Sequence, residues 1–148
     1  MVAPAHARLA ARPLRAAERT IVAYVDDIAT ATRTNEDFRR VLHTGEHSQL
    51  VLMTLAPGEE IGAETHPATD QFLRVESGRA KAVLDGAEHE LGVGSAVVVP
   101  AGVEHNVINT SSGEPLRLYT IYSPPEHPDG TVHATKKEAD AYEEAHHH

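Results

Sequence analysis

The stretch GSAVVVPAGVEHNVIN, residues 94–109, contains two short strand-like segments separated by a turn. SAVVVP is an apolar run, PAG is a turn signal, and HNVIN alternates polar and apolar residues. Because residues two apart in a strand share a face, His105, Val107 and Asn109 are expected to point the same way. The stretch therefore predicts two strands, and in the second strand His105 lies on the same face as Val107.

From Thr20 onward, the chain repeats this pattern of short predicted strands separated by turn residues. Asp85-Gly86 joins two of the segments and is a strong signal for a tight hairpin. Many short strands at regular spacing, without helices between them, predict an antiparallel sandwich or barrel, and so an all-β fold. The other predicted strands are TIVAYV (20–25), FRRVLH (38–43), SQLVLMTL (48–55), QFLRVESG (71–78), RAKAVL (79–84), AEHEL (87–91) and LRLYTIY (116–122).

We divide the chain into four segments. Residues 1–19, rich in Ala and Arg, are predicted to be a flexible N-terminal tail, and residues 20–123 form the barrel domain. Residues 124–145 comprise a proline-rich connector, expected to be irregular, and a short C-terminal helix. That helix is the only one we predict, and it begins with a capping box formed by Thr135 and Glu138. The three histidines at 146–148 are interpreted as the remainder of a purification tag.

Composition limits the classes of function. A chain of 148 residues predicts one domain, and its net charge of −9 argues against a nucleic-acid partner. No apolar run approaches the roughly 20 residues that span a bilayer. The chain has no cysteine, which excludes disulfides, thiolate metal ligands and cysteine nucleophiles and fits a cytoplasmic protein.

A second group of polar residues lies in GEEIGAETHPATDQFLRVESG, residues 58–78. Strand parity turns Glu64 and His66 to one face, and Gln71 begins the next strand, with Leu73 and Val75 on its own face. Together with His105, these side chains could meet inside a barrel lined by aliphatic residues. Buried without partners, they would cost several kcal/mol. A bound metal ion would offset that cost, so we predict that Glu64, His66, Gln71 and His105 are metal ligands.

The two stretches resemble the two signature motifs of the cupin superfamily over roughly Phe38 to Tyr122. The second motif is complete at its fixed positions, Gly94, Pro100, Gly102, His105 and Asn109. The first is matched at Gly58, Glu64, His66, Gln71 and Gly78, with Glu64 at the position of the first motif histidine and Gln71 at that of the motif glutamate. The resemblance implies a small single-domain cupin, an antiparallel jelly-roll barrel also described as a double-stranded β-helix.

Two histidines and one carboxylate match the facial triad of non-haem iron sites, with Gln71 as a weaker oxygen ligand. One divalent transition metal is expected, and iron, manganese, nickel or zinc would all fit. The first functional hypothesis is a metal-dependent enzyme of isomerase, lyase or dioxygenase type that acts on a small polar organic substrate. The alternative is a barrel that binds a small ligand or metal without turnover, as a sensor or store.

The remaining polar and aromatic residues of note lie outside the predicted set of metal ligands. Asp70 is expected to point outward, because it neighbours the inward Gln71. In the connector, His127 or His133 could be an acid or base beside the metal if this segment closes the barrel mouth. Tyr119 and Tyr122 have opposite parity, so at most one faces the pocket. An outward Phe72 predicts packing against a second copy in a homodimer. The histidines expected at the surface are His43, His47 and His89.

Overall fold

The computed structural model describes residues 22–146, so the predicted tail at 1–19 and the last two histidines lie outside the described residues. Helix α1 spans Ile28–Thr34 and helix α2 spans Lys136–Ala145. The strands in chain order are β1 Arg39–Thr44, β2 Gln49–Leu55, β3 Asp70–Ser77, β4 Ala80–Leu84, β5 Ala87–Leu91, β6 Ala96–Val99, β7 His105–Asn109, β8 Leu116–Ser123 and β9 Val132–His133.

All strand pairs are antiparallel and fall into two sheets. The larger sheet has six strands in the order β6-β3-β8-β2-β1-β9, and the smaller has three in the order β5-β4-β7. Residues from both sheets join one buried core, to which β2 contributes Val51 and Met53 and β4 contributes Ala80 and Ala82. The predicted all-β jelly roll is therefore confirmed, as two facing sheets rather than a closed barrel within residues 22–146.

The segment before β3 extends the smaller sheet beyond β7. Isolated bridges pair Glu60 with Ile108 and Glu64 with His105. The amide of Glu64 donates to the carbonyl of His105 at 2.9 Å, and the amide of His105 donates back to Glu64 at 2.9 Å. This reciprocal pair fixes the backbone of one strand-like segment directly opposite the first residue of β7. It also sets their two side chains beside each other.

One turn and one helix cap follow the sequence prediction. The hairpin between β4 and β5 places Asp85 at φ 47° and Gly86 at φ 86°, as a type I′ turn requires. At the start of α2, the side chain of Thr135 accepts a hydrogen bond from the amide of Glu138. The carboxylate of Glu138 in turn accepts from the amide of Ala134 at 2.7 Å, one residue earlier than in a standard capping box.

The N-terminal part of the domain differs from the prediction. Residues 22–25 of the predicted strand TIVAYV are irregular, and a helix that the sequence reading missed follows at α1. Asp27 caps this helix by accepting from the amide of Thr30, and Thr32 buries its hydroxyl by donating to the carbonyl of Ile28 at 2.7 Å. The connector also contains the short strand β9, which pairs with β1. Among residues 22–146, no helix has the length and apolar character needed to cross a membrane.

Candidate metal centre

Three of the four predicted ligands converge at one end of the sandwich. The ligand atoms of Glu64, His66 and His105 all lie within 4.8 Å of one another. Glu64 and His66 come from the segment beside β7, and the amide of Gly102 in the PAG turn donates to the carbonyl of His66 at 2.9 Å. The two motif stretches therefore hold one another through the backbone. The grouping of three ligand atoms of this kind is what a site for a single ion requires.

His105 is oriented by its own backbone. Its Nδ1 lies 3.0 Å from the carbonyl oxygen of Val103, which acts as acceptor when Nδ1 carries the proton. That tautomer leaves the lone pair on Nε2, the nitrogen without a hydrogen-bond partner among the described residues. The side chain is 5% exposed, so this nitrogen is shielded from solvent. Such a buried, unprotonated nitrogen is suited to a metal.

His66 lies between two carboxylates. Its Nε2 is 3.4 Å from Oε1 of Glu64, and its Nδ1 is 3.3 Å from Oε2 of Glu126. The hydrogen bond to Glu126, followed by that to Glu64, raises the pKa of His66 to about 9. Burial acts to raise the pKa of Glu64, but the hydrogen bond and charge of His66 outweigh it, and the net shift is downward. Glu126 thus orients His66 in the way that carboxylates orient metal-bound histidines.

Gln71 supplies a further oxygen in the interior. Its side chain is 3% exposed, and its Nε2 donates to Oγ1 of Thr120 at 3.0 Å. In this orientation of the amide, Oε1 has no partner among the described residues. Gln71 lies on β3 of the larger sheet, whereas His105 lies on the smaller one. The predicted ligands therefore come from both layers of the sandwich.

These observations test whether the residues fit a metal. Buried polar atoms are almost always hydrogen-bonded, yet Nε2 of His105 and Oε1 of Gln71 have no hydrogen-bond partner within residues 22–146, and Nε2 of His66 faces only the carboxylate of Glu64 at 3.4 Å. Two imidazole nitrogens and an adjacent carboxylate form a donor set that divalent iron, manganese, nickel or zinc accepts. The residues present fit such an ion.

Gln49 holds the connector against this site. Its Oε1 accepts from the amides of Glu126 and His127 at 3.1 and 2.9 Å, and its Nε2 donates to the carbonyl of His127 at 2.7 Å. A further bond from Nε2 reaches Oγ1 of Thr44 at 2.9 Å. Gln49 is 1% exposed, so one buried amide fixes the residues that contact His66. The sequence reading missed both Glu126 and Gln49, because the two are far apart in the chain.

A cavity of about 550 Å³ opens onto the candidate ligands. One wall is the segment Ala63 to His66, and another is the connector from Glu126 to Pro128. The third is formed by Tyr142 and Glu143 of α2 together with His146. The ring of His146 stacks on Tyr142 with centroids 3.9 Å apart. The connector and α2 therefore shape the mouth of the sandwich, and a small organic molecule would fit there.

His127 and Tyr122 lie beside His66. The Tyr122 ring meets the rings of His66 and His127 edge-on, with centroids 5.9 and 5.1 Å apart. Burial, assisted by the charge of Arg39, lowers the pKa of His127 to about 4, so this imidazole is neutral at pH 7. Burial also raises the pKa of Tyr122, which keeps its hydroxyl protonated. His127, rather than His133, is thus the connector histidine that lines the cavity.

The remaining predicted residues lie away from the ligands. Asp70 is exposed, and its carboxylate accepts from the amide of Ala101 at 2.9 Å. His47 and His89 are exposed as predicted, whereas His43 is half-buried because its ring stacks on Tyr24 at 5.5 Å. His133 is buried and packs its ring 5.2 Å from that of Tyr142.

Comparison with known proteins identifies one matching family profile and several similar proteins. A family profile described as "Cupin domain" matches residues 51–122. "Uncharacterized protein YrkC" of Bacillus subtilis (strain 168) is 50% identical over 127 residues, which cover 82% of this chain and 68% of that protein. "Uncharacterized protein L612" of Acanthamoeba polyphaga mimivirus is 45% identical, over 74% of this chain and 70% of that protein. The crystal structure of BH2720 from Bacillus halodurans superimposes with a TM-score of 0.78 at 47% identity, over 80% of this chain and 93% of that one.

Proposed function

This chain belongs to the cupin family, and we propose that it is a metal-dependent enzyme acting on a small polar organic molecule. The observation that carries the proposal is the convergence of Glu64, His66 and His105 within 4.8 Å, of which Glu64 and His66 line an open cavity. His105 presents a buried nitrogen without a partner in the described part of the chain. A purely structural cluster would satisfy that atom.

In this proposal Glu64, His66 and His105 hold one divalent iron, manganese, nickel or zinc ion, and Gln71 adds a weaker oxygen ligand. When bound, the metal would supply a Lewis acid that polarises a carbonyl or hydroxyl group of the substrate. Lewis-acid chemistry of this kind serves isomerases and lyases, whereas a dioxygenase, the third reaction type that we propose, would need a redox-active metal such as iron. The cavity has room for a small substrate and excludes a folded macromolecule.

The protein's own groups would orient the substrate. His127 is a neutral imidazole whose Nε2 is buried without a partner in residues 22–146, so it can donate or accept one hydrogen bond. The protonated hydroxyl of Tyr122 can donate one. Glu126 and Gln49 act indirectly, since they hold His66 and the connector in place. Tyr142 and Glu143 of α2 line the open side of the cavity.

The first test is metal content. Protein lacking residues 146–148 would be expressed with each candidate metal and analysed by elemental analysis beside His105→Ala and a control, His89→Ala. We expect about one equivalent of one transition metal in the parent and in His89→Ala, and loss of it in His105→Ala. A well-folded parent that stays metal-free after supplementation would overturn the metal-dependent enzyme.

One observation favours a second candidate, a barrel that binds a metal or small ligand without turnover. Glu64 and Gln71 stand where the motif that this chain resembles has a histidine and a glutamate. Oxygen uptake or substrate conversion by the metal-loaded protein, abolished in His105→Ala, would exclude this candidate. Full metal occupancy with no reaction across carbonyl and hydroxyl compounds would support it over the enzyme.

A further inference from the structure

Thr69 is a buried threonine immediately before β3. It is 6% exposed, although its neighbours Ala68 and Asp70 are both exposed. Its hydroxyl oxygen lies 3.2 Å from Oε1 of Glu126. Because an ionised carboxylate can only accept hydrogen bonds, the hydroxyl of Thr69 is the donor. This contact joins the segment before β3 to the connector, which is distant in the chain.

Each oxygen of the Glu126 carboxylate has its own partner. Oε1 accepts from Thr69, and Oε2 lies 3.3 Å from Nδ1 of His66. Gln49 holds the backbone amide of Glu126 rather than its side chain. That side chain is 32% exposed, so a carboxylate released by Thr69 has room to turn toward solvent. Within residues 22–146, Thr69 is therefore the residue that fixes the direction of the carboxylate behind His66.

Thr69 is itself held in place. Branching at its Cβ restricts rotation of the side chain. The carboxylate of the next residue, Asp70, accepts from the amide of Ala101 at 2.9 Å, and the amide of Gly102 donates to the carbonyl of His66 at 2.9 Å. His66 is thus held at its backbone by the turn that follows β6 and at its ring by the connector carboxylate. Both sets of contacts return to residues 69 and 70.

We propose that Thr69 is a positioning residue of the candidate metal centre: its hydroxyl orients the carboxylate of Glu126, which orients the imidazole of His66 as a metal ligand. This inference rests on the proposed function for the metal, whereas the chain of hydroxyl, carboxylate and imidazole is present without one. Carboxylate partners of metal-bound histidines fix the orientation and tautomer of the ring. A carboxylate anchored through one oxygen fixes the ring less firmly, because its side chain regains rotational freedom.

The first test measures zinc affinity by competition with a chelator, in protein lacking residues 146–148. Thr69→Val and Thr69→Ala remove the hydroxyl, Thr69→Ser keeps it, and Thr110→Val, at an exposed position after β7, is the control. We expect both variants without the hydroxyl to bind zinc roughly three- to tenfold more weakly than the parent. Thr69→Ser and Thr110→Val are expected to bind zinc like the parent. Urea denaturation checks that each variant is folded, and Thr69→Ala carries the comparison if Thr69→Val does not fold.

Two further measurements separate a role through Glu126 from simple packing. In a Glu126→Ala background, adding Thr69→Val should cause no further loss of zinc affinity, because the partner of the hydroxyl is already gone. Proton NMR of the metal-free protein follows the Nδ1–H proton of His66, assigned with His66→Gln. This proton should be protected from exchange with solvent in the parent and in Thr69→Ser, and should exchange faster in Thr69→Val.

Several results would overturn the inference. These are parent-like zinc affinity in Thr69→Val and Thr69→Ala, weakened binding in Thr69→Ser, or an undiminished effect of Thr69→Val in the Glu126→Ala background. Disagreement between the valine and alanine variants by more than tenfold would also do so, since packing rather than the hydroxyl would then set the affinity. A folded parent that binds no zinc defeats the proposed function instead. The proton of His66 then decides the role of Thr69, which fails if Thr69→Val leaves the exchange rate unchanged.

Discussion

Oε2 of Glu126 lies 3.3 Å from Nδ1 of His66, which places a carboxylate from the connector behind a histidine from the strand side of the site. Carboxylates in this position fix the tautomer of a metal-bound imidazole and increase its basicity. Glu126 follows two prolines in the chain, and its position depends on Gln49 rather than on a strand ladder. The connector is therefore part of the candidate metal centre.

Glu126→Gln should weaken metal binding by roughly 10- to 100-fold while leaving the fold intact, because the amide cannot accept from His66 with a full negative charge. Zinc affinity measured by competition with a chelator tests this. Glu144→Gln, an exposed carboxylate on α2, serves as the control for lost charge. Equal affinities in Glu126→Gln and the parent would show that His66 needs no carboxylate partner.

Gln49→Ala should destabilise the protein by roughly 2–3 kcal/mol, since it leaves two connector amides and a carbonyl without their partners and opens a small void. Urea denaturation gives the free energy of unfolding. The matched control is Ser48→Ala, the exposed neighbour of Gln49. If Gln49→Ala and Ser48→Ala are equally stable, the connector is held by other contacts.

The metal-free protein should be most stable near pH 6.5. The folded pKa of His66, about 9, is above its ordinary value of 6.5, so the stability it contributes is full below pH 6.5 and is lost as the pH rises through 9. The folded pKa of His127, about 4, is below 6.5, so the stability it contributes is present above pH 6.5 and is lost as the pH falls through 4. Unfolding free energies measured from pH 4 to 9 in a chelator check both slopes. Stability that keeps rising between pH 6.5 and 9 would contradict the assignment for His66.

Gln71→Leu should lower zinc affinity less than His105→Ala does, by roughly tenfold or less, because an amide oxygen is a weaker ligand than an imidazole nitrogen. The same chelator competition compares the two variants. Thr120→Val separates direct ligation from simple packing, since it frees the amide of Gln71 without removing its oxygen. A Gln71→Leu variant that binds zinc like the parent would remove Gln71 from the ligand set.

A homodimer remains a prediction, and Phe72 offers its test. On the outer face of β3, its ring packs 6.2 Å from that of Tyr119 on β8. If this face contacts a second copy, Phe72→Asp should convert a dimer into a monomer without unfolding it. Sedimentation velocity measures the mass, with Lys137→Asp, an exposed position on α2 away from the outer face of β3, as control. A parent protein that sediments as a monomer would contradict the prediction.

The sequence was most informative where periodicity and turn chemistry act locally. Three features predicted from local sequence are present in the structure. They are the strand that begins at His105, the tight turn at Asp85-Gly86 and the helix cap at Thr135. The helix α1 was missed because its β-branched residues argue for a strand, and its stability comes from the cap at Asp27 and the burial of Thr32.

The parts of the site that sequence reading missed depend on tertiary contact. Gln49 and Glu126 are in contact because the connector folds back over β2. No local sequence pattern predicts this contact.

The hydrogen bonds that Gln49 makes to the connector have a consequence for how this protein can evolve. The strands carry Glu64, His66 and His105, whereas much of the cavity wall belongs to the connector and α2, which contribute few of the core side chains. Insertions after Pro128, beyond the two residues that Gln49 holds, could therefore reshape the cavity while Glu126 and the strand ligands keep their places. Substrate preference and metal retention would then diverge independently among descendants of one ancestral gene.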